Sequence, residues 1–179
     1  MRVGVGLPAA LPGTSGHLVL EWARRAEMGP FASLGVLDRV VYDSFDPLLA
    51  LAAAAGITTR PRLATTIAIA PLRSTVQLAK AAASLHALSG GRLVLGVAVG
   101  ARRDDYLAAG VDYAQRGRRL VATLARLRDL WEDGTVGPAL ADPAQMPEVL
   151  VGGLSEAAFA RAARYADGYV HGGGPPRAF

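Results

Sequence analysis

Short apolar runs alternate with longer stretches of helical period along this chain, and little separates them. The runs lie at residues 3–7, 33–37, 63–70, 93–99, 149–151 and 168–171. Between them, apolar residues recur at helical spacing over 15–28, 46–55, 74–88, 112–131 and 155–166. Several boundaries have a local cause. Asp46 can cap a helix whose first residue is Pro47, and Gly56 can end it in the left-handed conformation. Ser155, just after Gly152-Gly153-Leu154, reads as the next N-cap. Gly90-Gly91 stops the helix that precedes the strand from Arg92. Strands alternating with helices of this length make βαβ units and a parallel sheet.

Six such units leave two architectures, a doubly wound sheet or part of a (β/α)₈ barrel. A dinucleotide-binding sheet needs G-x-G-x-x-G opening its first helix. Here Gly4-Val5-Gly6-Leu7-Pro8-Ala9 lies inside the first strand, and Pro8 and Pro12 spoil the turn. That reading is rejected. The longest connection is 132–147, with Gly134, Gly137, Pro138, Pro143 and Pro147, and it marks no second domain.

Within 93–99, Gly96 and Ala98 alternate towards Gly100, so one side of that strand is left without side chains. The expectation is that something other than side chains fills the space. In parallel α/β proteins, ligands sit outside the carboxyl ends of the strands.

Composition narrows the partners. Of 179 residues 51% are hydrophobic and 19% charged, as in a globular chain, and the net charge of +4 is carried almost wholly by scattered arginines. A nucleic-acid surface needs a concentrated basic face, which the spacing does not supply. Cysteine is absent, excluding disulfides and thiolate metal sites. His17, His86 and His171 share no ligand spacing, and His17 and His86 read as surface residues. No apolar run approaches the ~18 residues of a membrane span. A strand follows Met1-Arg2 at once, so the expected location is the cytoplasm.

Six segments together carry a family resemblance. They are Gly35-Val36-Leu37-Asp38-Arg39, Pro71-Leu72-Arg73, the helical segment Ala79 to Leu85, the block from Ser89-Gly90-Gly91-Arg92 to Gly96, Val151-Gly152-Gly153, and Ala166-Asp167-Gly168-Tyr169. In this order they resemble the luciferase-like monooxygenases, which include bacterial luciferase and oxidoreductases using the deazaflavin coenzyme F-420. The resemblance implies a (β/α)₈ barrel of the TIM type, of which 1–179 supplies about the first six βα units as a single domain. It implies FMN or F-420 at the carboxyl ends of the strands. A small organic molecule would be the substrate, and FMN would come from a separate reductase. The arginine-rich, lysine-poor composition favours F-420, by association with high-GC genomes. A homodimer is compatible with the resemblance.

Carried over residue by residue, the phosphate anchor falls on Val151, Gly152, Gly153, Leu154 and Ser155, where a strand opens into a helix. The ring slot falls on Thr65, Thr66, Ile67 and Ala68 and on Val99, Gly100, Ala101 and Asp104. Relatives often have a non-prolyl cis peptide at the position of Thr66–Ile67. His171 is expected beside the phosphate, and Asp38, Arg39 and Arg73 are the catalytic candidates. Two positions depart from the pattern. Arg39 stands where many relatives have histidine, and Ala101 where F-420 enzymes often have glutamate. Arginine is no general base at neutral pH, so no acid–base step carries over. That departure keeps open a non-catalytic flavin-binding relative, or a structural subunit that completes its barrel with another chain. A barrel closes only when its last strand pairs with its first. The expectation is therefore that this chain continues beyond Phe179 or is covered by a partner, with its first and sixth strands left unpaired to each other.

Overall fold

The computed structural model describes residues 2–138 and 146–172. The later part of the 132–147 connection lies outside the described residues. The described residues form seven strands: β1 (Gly4–Gly6), β2 (Ser33–Val36), β3 (Arg62–Thr65), β4 (Ala68–Ile69), β5 (Leu93–Ala98), β6 (Glu148–Gly152) and β7 (Gly168–Val170). The helices are α1 (Gly16–Met28), α2 (Pro47–Ala55), α3 (Thr75–Leu88), α4 (Arg103–Ala108), α5 (Arg116–Glu132) and α6 (Glu156–Tyr165). All strand pairs are parallel, in the order β1-β2-β3-β5-β6-β7, with β4 beside β5. Among the described residues β1 and β7 do not pair, so the sheet is open.

The two predicted caps form: Asp46 accepts the amides of Leu48 and Leu49, and Ser155 that of Ala158. Ser15, not read as a cap from the sequence, accepts the Leu18 amide. Gly56 differs from expectation. It ends α2 at φ −68°, an ordinary right-handed turn in which its amide bonds back to the Ala52 carbonyl. The helix α4 was not read from the sequence, because six residues give too few turns for a periodic signal. Among the described residues no helix is long and apolar enough to cross a membrane.

Strand alternation separates two faces. Leu34, Val36, Leu63, Leu93, Leu95, Val97, Val149 and Val151 pack under the helices in one buried cluster. The other face carries Arg62, Val94, Glu148 and Leu150 and is otherwise made of small residues, with Gly6, Gly35, Ala64, Gly96, Ala98 and Gly152. His86 is buried, not at the surface, because it falls on the stripe of α3 formed by Leu78, Ala79, Ala82 and Ala83. At the amino ends of the strands, Arg92 is tied to five oxygens. It donates to the carbonyls of Ser89, Pro61, Ala55 and Thr58 and to the Thr58 hydroxyl, at 2.6–3.2 Å. The glycines before it sit at φ +66° and +82°. The Ser-Gly-Gly-Arg motif thus closes the end of α3 onto α2.

The run 63–70 is not one strand. It breaks between β3 and β4 at a cis peptide bond joining Thr66 and Ile67. The break also revises the expectation for Gly96. A Cβ there would lie 2.2 Å from the Thr65 carbonyl oxygen and 3.5 Å from Ile67. Protein backbone, not a ligand, fills the space beside Gly96. Gly96→Ala is therefore expected to cost about 3 kcal/mol by overpacking. Gly56→Ala, where the nearest atom is 3.7 Å away, should be neutral or slightly stabilising. Denaturant midpoints of the two variants check the contrast.

Candidate functional site

The carboxyl ends of β2, β4, β5 and β6 meet at one rim. Ile67 leaves the β3–β4 break towards β6, and its Cγ2 lies 3.1 Å from where a Gly152 Cβ would be. Thr66 approaches Gly35 in the same way at 3.2 Å, and the Ile69 side chain occupies the Cβ position of Gly100, at 2.8 Å and φ +69°. Gly100 needs glycine for its positive φ, and at Gly35 and Gly152 a Cβ would press on a neighbouring side chain. Thr66, Ile67, Val99, Gly100 and Gly153 are half-buried, while Ala101, Asp104, Leu154 and Ser155 are exposed. Thr65, Ala68, Val151 and Gly152 are buried behind them. The Thr65 hydroxyl is spent on the Gly96 carbonyl at 2.6 Å.

After Gly152, the chain turns at Gly153 (φ +136°) into α6. The first amides of a helix have no partner within it, so the start of α6 presents N–H groups to the rim. Ser155 takes the Ala158 amide, and the acidic Glu156 stands in the first turn. The Tyr169 hydroxyl donates to the Gly153 carbonyl. His171 stacks edge-on to Tyr169 at 6.4 Å, which brings it to this turn.

The three charged candidates all lie in ion pairs. Asp38 is buried, and its carboxylate accepts the Ile69 amide at 2.8 Å and Arg73 at 3.1–3.2 Å. Arg73 also reaches Asp46, the cap of α2, at 2.9 Å. Burial disfavours its charge, but the two carboxylates outweigh this and raise its pKa. Arg39 donates to Asp105 at 2.7 Å and Asp104 at 3.1 Å, and lies over the Tyr42 ring at 5.3 Å. The hydrogen bond it donates to Asp105 raises its pKa.

A model of the luciferase-like monooxygenase family matches residues 1–179. The chain belongs to this family. A Mycobacterium tuberculosis protein without an assigned activity is 38% identical over 136 residues, covering 70% of this chain and 47% of its own. The oxygenase component of a flavin-dependent trigonelline monooxygenase from Acinetobacter baylyi is 34% identical over 89 residues, 49% of this chain and 25% of that one. Among solved structures, a monooxygenase from Streptomyces bottropensis superposes with TM-score 0.78 at 23% identity, over 92% of this chain and 57% of the other. The oxygenating constituent of a Pseudomonas putida diketocamphane monooxygenase, in complex with FMN, gives 0.77 at 19% (94% and 57%). An F-420-dependent secondary alcohol dehydrogenase gives 0.76 at 22% (96% and 58%). The fold is thus the TIM barrel of this family, and the described sheet is its curled parallel half. The chain spans about half the length of the curated relatives it matches.

Sequence reading of the family positions missed Asp105 and two tyrosines. Asp105 has no solvent exposure, and one oxygen accepts the amides of both Val40 and Val41 at 2.9 Å. It fastens the loop after β2 to α4. Tyr106 donates to the Val99 carbonyl and Tyr113 to that of Ala101. Burial pushes the Tyr106 hydroxyl up to about 12, so it remains a donor at any ordinary pH. The acidic pair after Arg102-Arg103 was the available signal, but it does not say which carboxylate turns inward.

Burial works against the charge on Asp105, yet the Val41 and Val40 amides and Arg39 overcome it and lower its pKa below the usual value of 3.8. Asp105→Asn should cost about 2 kcal/mol at neutral pH, because it uncouples Arg39. A lowered carboxyl pKa stabilises the fold above the unfolded value and loses that effect as pH falls through the folded one. The advantage of the wild type over Asp105→Asn should therefore hold from pH 7 to about 4 and fade below 3.8. Urea midpoints across that range measure it.

Proposed function

We propose that this rim binds a flavin or deazaflavin in an oxidoreductase or monooxygenase acting on a small organic substrate, with F-420 preferred to FMN. The observation that carries the reading is the meeting of Ile67 with Gly152 at the mouth of the sheet, beside the glycine turn into α6. It leaves a face built from backbone and small residues next to a helix start, which suits a flat ring ending in a phosphate. The residues fit such a group: a Cβ at Gly152 would crowd Ile67, and one at Gly153 would meet Ala158 at 2.7 Å. Gly153, Leu154, Ser155 and the first amides of α6 would hold the phosphate. Thr66, Ile67, Val99 and Gly100 would flank the ring. When bound, the reduced cofactor supplies a hydride or the electrons that activate oxygen.

The work of the charged residues on this reading is positional. Asp38 holds β4 through the Ile69 amide, and Arg73 couples it to the cap of α2. Arg39, with Asp105, holds the loop after β2 against α4. Use of FMN would call for a separate reductase, in keeping with the trigonelline relative being one component of its enzyme.

A second reading, flavin binding without turnover, is favoured by one observation. Arg39 at the family's histidine position is engaged by Asp104 and Asp105, and Ala101 offers no carboxylate. Fluorescence titration of the purified chain separates the cofactors. F-420 should bind at least about tenfold more tightly than FMN, or about 1.4 kcal/mol. Tight FMN binding without F-420 binding would reverse the preference, and failure of both would end the proposal. Consumption of the reduced cofactor in the presence of candidate substrates or oxygen then decides between enzyme and binder.

A further inference from the structure

Tyr113 carries two guanidinium groups on its ring. The Arg116 carbon lies 3.9 Å from the ring centroid and that of Arg103 lies 4.5 Å from it. The two charges are thus no farther apart than the sum of those distances. Tyr106 packs edge-on against the same ring at 5.1 Å, and Arg116 is further fixed by its bond to the Tyr113 carbonyl at 2.8 Å. Among the described residues neither arginine has a carboxylate within ion-pair distance. The nearby acids are committed elsewhere. Asp104 and Asp105 pair with Arg39, and Asp112 accepts the Ala114 amide.

Two guanidinium groups on one tyrosine ring, with no carboxylate partner among the described residues, carry charge that the ring offsets only in part. An anion within reach of both would complete the compensation. Arginine forks suit carboxylate and phosphate oxygens in particular. The platform also has an address, since the Tyr113 hydroxyl donates to the carbonyl of Ala101 at 3.2 Å. Ala101 belongs to the rim described above, just after β5.

We propose that Arg103 and Arg116, carried by Tyr113, form an anion subsite at the Ala101 side of the rim that receives a carboxylate-bearing group. Its place beside a cofactor rests on the proposed function; the subsite itself does not. The group has two possible sources, an acidic tail on the cofactor (F-420 ends in glutamates and FMN does not) or a carboxylate on the substrate.

The probe is sodium glutarate at fixed ionic strength, followed through the arginine Nε–H signals of the ¹⁵N-labelled chain, with glutaramide as the neutral control. The Arg103 and Arg116 signals should move together on one binding curve with glutarate and stay still with glutaramide. Arg103→Gln and Arg116→Gln should each weaken glutarate about fivefold or more, near 1 kcal/mol. Arg126→Gln, an exposed position elsewhere on α5, should leave it unchanged. Equal shifts at all exposed arginines, or binding indifferent to both substitutions, would overturn the proposal. Comparing F-420 with its deazaflavin lacking phosphate and tail, and with FMN, identifies the source. A tail advantage erased by Arg103→Gln assigns the subsite to the cofactor; glutarate binding with no tail advantage assigns it to substrate. Glutarate binding without any flavin binding would leave the subsite standing and sink the cofactor reading alone.

Discussion

At Gly96 the backbone of one strand passes through the place where its neighbour's side chain would stand. The Thr65 carbonyl would lie 2.2 Å from a Cβ at Gly96, and the Thr65 hydroxyl closes the contact by donating to the Gly96 carbonyl. Because β3 leans onto β5 there, the chain can break at Thr66–Ile67 and resume as β4, still paired to β5 through Ala68 and Val97. Ile67 is thereby delivered to Gly152, and Ile69 to Gly100. At Gly96 and Gly100 a side chain would force its neighbours apart, and at Gly152 it would press on Ile67. The run of small residues on this face is a packing requirement first, and the shape of the rim follows from it.

The two ends of the sheet do different work. At the amino ends, Arg92 gathers the carbonyls that end α2, and Arg60 does the same for α1, bonding the carbonyls of Ala26, Glu27, Gly29 and Phe31. These are neutral acceptors that hold helices to strands. At the carboxyl ends, buried carboxylates hold loops instead. Asp38 takes the Ile69 amide and Asp105 those of Val40 and Val41. Each is neutralised by an arginine, and each ties together segments more than thirty residues apart in sequence. The Ser-Gly-Gly-Arg block that marks the family most visibly therefore works at the end opposite the rim.

Local chemistry was legible in the sequence, and tertiary contact largely was not. Asp46-Pro47 and Ser155 were read as caps because a cap depends on a few neighbouring residues. Period two and period 3.6 located five helices and six strand runs, since burying one face imposes those periods. The break at Thr66–Ile67 was placed only by resemblance, because Leu63 to Ala70 reads as continuous apolar sequence. The space beside Gly96 was seen but assigned to a ligand, since a missing side chain says nothing about what replaces it. His86 was misplaced because a lone histidine was weighed without its helical register. The pairing of Arg39 with Asp105, or of Asp38 with Arg73, had no local signal; only the fold brings those residues together.

Placement of a cofactor ring and phosphate at the rim around Ile67 and Gly152 can be read from a hydrogen-exchange footprint on saturation with F-420. Protection is expected only at the amides of 66–69, 99–101 and 153–158, with 58–62 and 89–93 at the opposite end unchanged. Protection at the Arg92 end, or none at the rim under saturating cofactor, would contradict that placement.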